Sequence, residues 1–408
     1  MTVASRVIDA ELRTDGPAGV SLRKAVERTL DAHWRPPGFA CPNAERYPWM
    51  WLWDSCFHAI VWSALDRPDR AVSELRAALA GQDPHSGFVP HMAYFGASSA
   101  DATEAATFWG TGDGSSTVLS SITQPPMYGH AVAELTRRGL EVPPDVVSAA
   151  VAGLRFLLAD RRRHGSGLIE LVHPWESGCD DSPRWDDVVT GPWSIASWRE
   201  TKGSLLDTID RGPSGAPIAN DGFAVASIGF NALVAFNASE LASAVDGSVG
   251  AELRHAASTL TEAIDGRWLA SQRTWVDAGP TESGSGRCRT ADALLPLLVV
   301  LRAEAVEELA DPAAFGAPFG PRGVHLAEPV RDPRSYWRGP AWPQLSYLLW
   351  LAATRHGQSA LADRIALGTS AAAERTGLAE YWDGDTGTGG GAVPQSWTAL
   401  ALLMAPDA

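Results

Sequence analysis

Apolar positions along the chain recur with helical spacing far more often than they alternate. Leu22, Val26 and Leu30 lie four apart, while Val147, Val151, Leu154 and Leu158 follow a 4-3-4 spacing entered through Pro144. Leu253, Ala257, Leu260 and Ile264 repeat that spacing. Such periods put the apolar side chains on one helix face and leave the other polar. Proline suits a first helical turn, where its missing N–H is not needed. Between these one-faced helices come runs apolar on nearly all sides: CFHAIVWSAL (56–65), ALLPLLVVL (293–301), LSYLLWLAA (345–353) and SWTALALLM (396–404). A helix of that kind has to be buried on most of its surface. Alternation of the strand type is scarce. One-faced helices interleaved with buried ones predict an all-α protein in two concentric layers, and a chain of this length holds about twelve helices of average size. The expected architecture is a double ring of six hairpins.

Three long segments interrupt the helices, near 82–126, 173–222 and 310–336. Loops beyond about 15 residues are either functional or disordered. These are rich in Trp, Tyr, Phe and Pro and lack the composition of disorder, which predicts packed loops around a site and no linker dividing the chain. Five clusters each lead into a helix: YPWMWLWDS (47–55), ITQPPMYGH (122–130), FNALV (230–234), YWRGPAWPQ (336–344) and GAVPQSW (391–397). With the inner helices parallel, all five converge on one end of the ring, the expected site.

Composition narrows the function. The net charge of -15 argues against a nucleic-acid partner, which needs basic patches. No segment approaches the roughly 18 apolar residues that span a bilayer, and MTVASRVIDAELRTDG lacks the features of a secretion signal. Cys41, Cys56, Cys179 and Cys288 lie far apart without a C-x-x-C, against zinc and disulfide frameworks. The expectation is a cytoplasmic enzyme with no metal, cofactor or membrane partner; self-association as a homo-oligomer stays open. Tryptophan is the outlier: 17 residues are roughly three times the usual share. Many sit in Gly/Pro-rich loops, where flat aromatic faces lining a polar cleft can hold sugar rings.

Glycosidic bond cleavage needs one carboxylic acid to protonate the leaving oxygen and a second as base or nucleophile. Two acid loops flanked by tryptophan qualify. HPWESGCDDSPRWDD (173–187) sets Glu176, Asp180 and Asp181 beside Trp175 and Trp185, and AEYWDGDTG (379–387) sets Glu380 before Tyr381 and Trp382. A lone loop aspartate is usually solvated; two such loops, 200 residues apart, point to chemistry. DGDTG (383–387) has Pro394 at the twelfth position where a calcium loop needs Glu, and reads as an Asp/Gly turn. There is no H-E-x-x-H, P-loop or G-x-S-x-G. His58 reads as a core histidine, whereas His91 and His130 occupy positions from which they can reach a substrate. A sugar epimerase or isomerase using those histidines is the alternative enzyme, and an inactive sugar-binding homologue the alternative without catalysis.

Taken together, WLWDSCFHA, GFVPH, ITQPP, HPWESGCDDSPRWD, YWRGPAWP and AEYWDGDTGTGGGAVPQSW resemble glycoside hydrolase family 63, in its bacterial mannosylglycerate and glucosylglycerate hydrolase branch. The matches run in the family's order from about residue 36 to the C-terminus. The resemblance implies one (α/α)6 barrel, a six-hairpin toroid spanning 1–408 with loop insertions near 82–126 and 173–222. It implies an inverting α-glycoside hydrolase without a cofactor, acting on a small soluble carbohydrate such as glucosylglycerate or mannosylglycerate. The general acid falls on Asp180 and the general base on Glu380, with the two carboxyls about 6.5–9.5 Å apart to admit water. Asp54 matches the residue gripping sugar hydroxyls. Tyr47, Trp51, Trp53, Trp175, Tyr336, Trp337, Trp342 and Trp397 match the aromatic wall, and Gln124 and Gln395 hydrogen-bonding positions. His91, Gly178 and Arg338 join the binding set; Glu176 either orders its loop or touches sugar, and Asp181, Asp186 and Asp187 are assigned to the surface. One departure concerns the leaving group. The arginine expected upstream of F-N-A is missing from GFAVASIGFNALV (222–234), which leaves Arg184, Arg273, Arg289 or Arg338 as substitutes for a carboxylate partner.

Overall fold

The one-faced spacing at the start of the chain forms α1 (Leu22–His33), which buries Leu22, Val26 and Leu30. The structure, a computed structural model, describes residues 21–110 and 117–404. The chain start, read above as free of a secretion signal, lies outside the described residues. The apolar run at 56–65 falls in α2 (Leu52–Ala64), followed by α3 (Pro68–Leu79). Then come α4 (Ser99–Trp109), α5 (Tyr128–Arg137) and α6 (Pro144–Arg155). Next are α7 (Ile195–Leu206), α8 (Ile228–Ala244) and α9 (Gly247–Asp265). The remainder are α10 (Ala303–Ala310), α11 (Pro343–Arg355), α12 (Ser359–Thr376) and α13 (Ala401–Met404).

The order of contacts closes a ring. α2 packs on α5, α5 on α8, α8 on a 3-10 run at Ala291–Leu298, that run on α11, α11 on a 3-10 turn at Ser396–Leu400, and that turn back on α2. Each inner element packs against an outer helix: α3, α6, α9, α10 and α12 in turn, with α1 from the chain start covering the last. This is the (α/α)6 toroid. A contiguous apolar core runs from Leu22 to Met404, and a smaller cluster around Met92, Trp109, Ile122 and Val172 lies under the loops.

Three local expectations are corrected. The run at 293–301 is not an α-helix: the 3-10 segment stops at Leu298 with Pro296 inside it, since proline removes a donor and clashes with the preceding turn, and Leu301 is 57% exposed. In α6 the buried face is Val146, Ala150, Val151 and Leu154, with Val147 and Leu158 only half-buried. Leu158 falls in a π-turn at Phe156–Asp160, whose i→i+5 bonds carry it off the line of the α-helical face. The segments 82–126 and 173–222 are not wholly irregular either, since they carry α4 and α7. Both helices start on capping serines: Ser98 Oγ accepts from Asp101 N, and Ser194 with Ser197 forms a reciprocal capping box. Their apolar periodicity is too weak to be read.

Candidate active site

A cavity of about 750 Å³ opens at the end of the ring where α2, α11 and the Ser396–Leu400 turn begin. Four of the five clusters reach it, through Tyr47, Trp51, Trp53 and Asp54, through Gln124, through Tyr336 and Trp337, and through Gln395 and Trp397. FNALV does not. Its helix α8 already starts at Ile228, which sinks Asn231 below the rim. There Asn231 is spent on backbone, with Oδ1 accepting from Ile169 N at 2.8 Å and Nδ2 donating to Ile169 O at 2.9 Å.

On one wall stands Asp180. Its loop turns through Gly178 at φ +74°, where a Cβ would lie 2.6 Å from the Trp53 ring; only glycine allows that approach. Lys202 of α7 brings Nζ to 3.3 Å from Asp180 Oδ2 and 2.5 Å from Asp181 Oδ1. Trp198 Nε1 donates to Asp180 O at 3.0 Å and to Asp181 Oδ1 at 2.9 Å. Burial, joined by the Asp181 charge, pushes the Asp180 carboxyl up to about 6 against the pull of Lys202. Asp181, expected at the surface, is buried and lines the cavity.

Glu380 stands on another wall, at the start of the Tyr381–Trp382 strand, which pairs antiparallel with Gly389–Gly390. Its Oε2 accepts from Ala392 N at 2.7 Å and its Oε1 from the Tyr47 hydroxyl at 3.0 Å. Burial raises this carboxyl, and those two donors with Arg46 moderate the rise. Gly391, at φ +75°, makes room: a Cβ there would meet Glu380 Oε2 at 2.3 Å. Between the walls Asp54 is 2% exposed; its Oδ1 has no partner among the described residues, and burial raises its carboxyl well above the usual range.

Of the other expected residues, Trp175, Gly178 and His91 line the cavity. Burial pushes His91 down to about 3, which keeps it neutral, and its Nδ1 bonds Ser120 Oγ at 2.7 Å. Trp337 lies flat on Trp342 at 3.6 Å between centroids and 9° between planes. Its φ of +59° is a conformation that costs on the order of 1–3 kcal/mol for a non-glycine residue. Three residues of the expected binding set do not face the cavity. Trp342 backs Trp337 and does not reach the cavity. Glu176 is fully buried: it takes two hydrogen bonds from Arg161 and one each from Thr123 N and Val172 N, which orders the loop and leaves no oxygen for sugar. Arg338 turns away to a bidentate pair with Asp186 at 2.8 Å, so Asp186 is not idle surface either.

The substitute arginines are likewise committed elsewhere: Arg184 to Asp277 and Asp292, Arg273 to Glu307, Arg289 to Glu328. His130 lies away from the cavity, held by Glu240 and Tyr347, which removes it from the epimerase reading. The cavity instead carries Arg46, Arg199, Lys202 and Arg334, none of them assigned from sequence. The available signal was the spacing Ile195, Arg199, Lys202, one face of α7.

The profile of the mannosylglycerate hydrolase MGH1-like glycoside hydrolase domain matches residues 47–398. The chain is 29% identical to the mannosylglycerate hydrolase of Thermus thermophilus, an alignment covering 90% of this chain and 96% of that one. It is 26% identical to the glucosylglycerate hydrolase of Mycolicibacterium hassiacum, covering 88% and 91%. The crystal structure of a GH63 mannosylglycerate hydrolase from Thermus thermophilus in complex with glucose superposes with a TM-score of 0.79 at 25% identity, over 94% of this chain and 99% of that one. With the toroid, the aromatic cavity and the two carboxyls facing it in place, this match over most of the chain settles its kinship: it belongs to the mannosylglycerate hydrolase MGH1-like glycoside hydrolases, within family 63.

Proposed function

We propose that the protein hydrolyses the α-glycoside of a small hydroxy acid with inversion, Asp180 acting as general acid and Glu380 as general base. The observation that carries this reading is the contrast between two carboxyls facing one cavity. Asp180 sits beside a second carboxylate that helps it hold a proton, whereas Glu380 is cradled by N–H and O–H donors that favour its ionised form. Asp180 gives its proton to the glycosidic oxygen as the bond to the anomeric carbon breaks. Glu380 takes a proton from the water that attacks that carbon from the opposite face. Asp54 and the tryptophans hold the sugar, and burial of the site strengthens each of these contacts.

The leaving group has to lie on the Asp180 side, which is where α7 projects Ile195, Arg199 and Lys202 into the cavity. Arg199, and Arg334 across from the helix, are exposed and have no acidic ion-pair partner among the described residues. Arginine pairs with carboxylates through charge-assisted, often bidentate bonds. These residues therefore replace the arginine missing from 222–234, where Ser227 is used as the N-cap of α8. The relatives' names, mannosylglycerate and glucosylglycerate hydrolase, fit a glycerate leaving group. We also infer a cytoplasmic location from the four free cysteines.

The test is turnover of α-mannosyl- and α-glucosylglycerate against matched methyl glycosides, with proton NMR of the first-formed sugar. Inversion predicts the β-anomer first; the α-anomer first would overturn the assignment of Glu380 as a base. Asp180→Asn and Glu380→Gln should each lower kcat by at least about 10³-fold with melting temperature little changed. Near-full activity in either variant would remove that residue from the mechanism.

A further inference from the structure

Lys202 stands between two carboxylates that are neighbours in sequence, 3.3 Å from Asp180 Oδ2 and 2.5 Å from Asp181 Oδ1. One indole fixes both: Trp198 Nε1 bonds the Asp180 carbonyl and the Asp181 side chain. Lys202 is itself confined, its ammonium 5.6 Å from the centre of the Trp175 ring and 5.7 Å from that of Trp198. Its carbonyl accepts from His173 Nε2 at 2.9 Å. Little movement is needed to pass the ammonium from one carboxylate to the other.

We propose that Asp181 and Lys202 form a positioning pair for Asp180. Asp181 holds the ammonium while Asp180 is protonated, and the same ammonium stabilises the Asp180 carboxylate left when the proton goes to the leaving oxygen. This rests on the reading of Asp180 as the general acid. Neither partner donates or accepts the transferred proton; the bond broken is O–H on Asp180 and the bond formed is O–H on the departing hydroxy acid. On its own loop Asp180 has Cys179 beside it, and the facing elements add Arg199 of α7 together with Arg334 and Tyr336; burial keeps the Cys179 thiol and the Tyr336 hydroxyl neutral, and the two arginines are exposed cations. Burial acts against the Lys202 charge, but Asp180 and Asp181 outweigh it and keep the ammonium protonated.

The pair makes a prediction of opposite signs. The Asp181 charge raises the Asp180 carboxyl and Lys202 lowers it. Asp181→Asn removes the like charge and frees Lys202 for Asp180, so the basic limb of the kcat/KM–pH profile moves down by about one unit. Lys202→Met removes the cation, and the limb moves up by about one unit. Lys202→Arg returns it toward the starting position. The profiles are measured with α-mannosyl- or α-glucosylglycerate, whichever is turned over, with thermal melts to confirm folding. Shifts in the same direction, or none in either variant, overturn the proposal. Asp180→Asn, assayed on the glycerate glycoside and on a dinitrophenyl α-glycoside whose leaving group departs without a proton, separates the two layers. Loss on the first with turnover of the second supports the acid reading, so unmoved limbs then defeat the pair alone. Equal loss on both defeats the acid reading and the pair with it.

Discussion

The two ends of the ring are built from the same inner helices and treat polar groups in opposite ways. At the cavity end, Asp54 Oδ1, Trp51 Nε1, Trp337 Nε1 and Gln395 Oε1 are buried without a partner among the described residues. Below it and toward the other end, Glu240 near the end of α8 gathers His130 Nδ1 from the first turn of α5 at 2.8 Å, Arg137 from the end of α5 at 2.5 Å and Arg355 from the end of α11, while His130 Nε2 bonds the Tyr347 hydroxyl at 2.9 Å. A buried polar atom left unpaired costs about 1–3 kcal/mol, and all four of these belong to residues that line the cavity. At the far end the charges balance within the protein. Burial alone would raise the Glu240 carboxyl, but His130, Arg137 and Arg355 prevail and hold it below the usual range. One end is organised for binding and the other for cohesion.

The sharpest way to break this comparison is to disarm each end in turn. Asp54→Asn should cost about 10³-fold in kcat/KM, roughly 4 kcal/mol of transition-state stabilisation, with a melting temperature equal to or above that of the parent. Initial rates and thermal melts check both halves; a loss of stability matching the loss of rate would mean that Asp54 is structural. Gly391→Ala should lower kcat by about 10²-fold, because the new Cβ at φ +75° displaces Glu380; an unchanged kcat would show that Glu380 tolerates a shifted carboxylate. Glu240→Gln should behave in reverse. It leaves Arg355 without a carboxylate and Arg137 with Glu134 alone, and destabilises by about 2 kcal/mol, discounted from the buried-pair range because both arginines are partly exposed. Urea denaturation reads the loss, while kcat stays within about twofold.

The smallest effects are in pH. With the Asp180 carboxyl at about 6, the basic limb of kcat/KM in the free enzyme should bend near pH 6, because deprotonated Asp180 has no proton to give. Glu240 governs stability with the sign of a depressed carboxyl. Its contribution is fully present above the unfolded value of about 4.3 and is lost as pH falls through the lower folded value. Urea midpoints measured from about pH 6 down to pH 3 should therefore fall less steeply in Glu240→Gln than in the parent.

How far the sequence could be read follows from what each residue depends on. The ring was legible because its helices are bound by period: Leu253, Ala257, Leu260 and Ile264 share a face whatever they pack against. Asp180, Glu380 and Asp54 were legible through motifs, and all three line the cavity. α4 and α7 were not, since their residues alternate too irregularly for a periodic signal and their starts rest on serine caps.

The amino-acid sequence by itself determined the layered all-α fold, the end of the ring that holds the site, and the pair of carboxyls facing it, because periodicity and local motif survive without knowledge of neighbours. The tertiary structure decided which charges are free. Glu176 and Asp180 lie four positions apart in one loop, yet Arg161 consumes the first and the cavity exposes the second. Arg338 and Arg199 are alike in sequence, but Asp186 claims only Arg338. An ionic side chain acquires its role from the partner that folding brings within about 4 Å, and that partner is set by long-range packing.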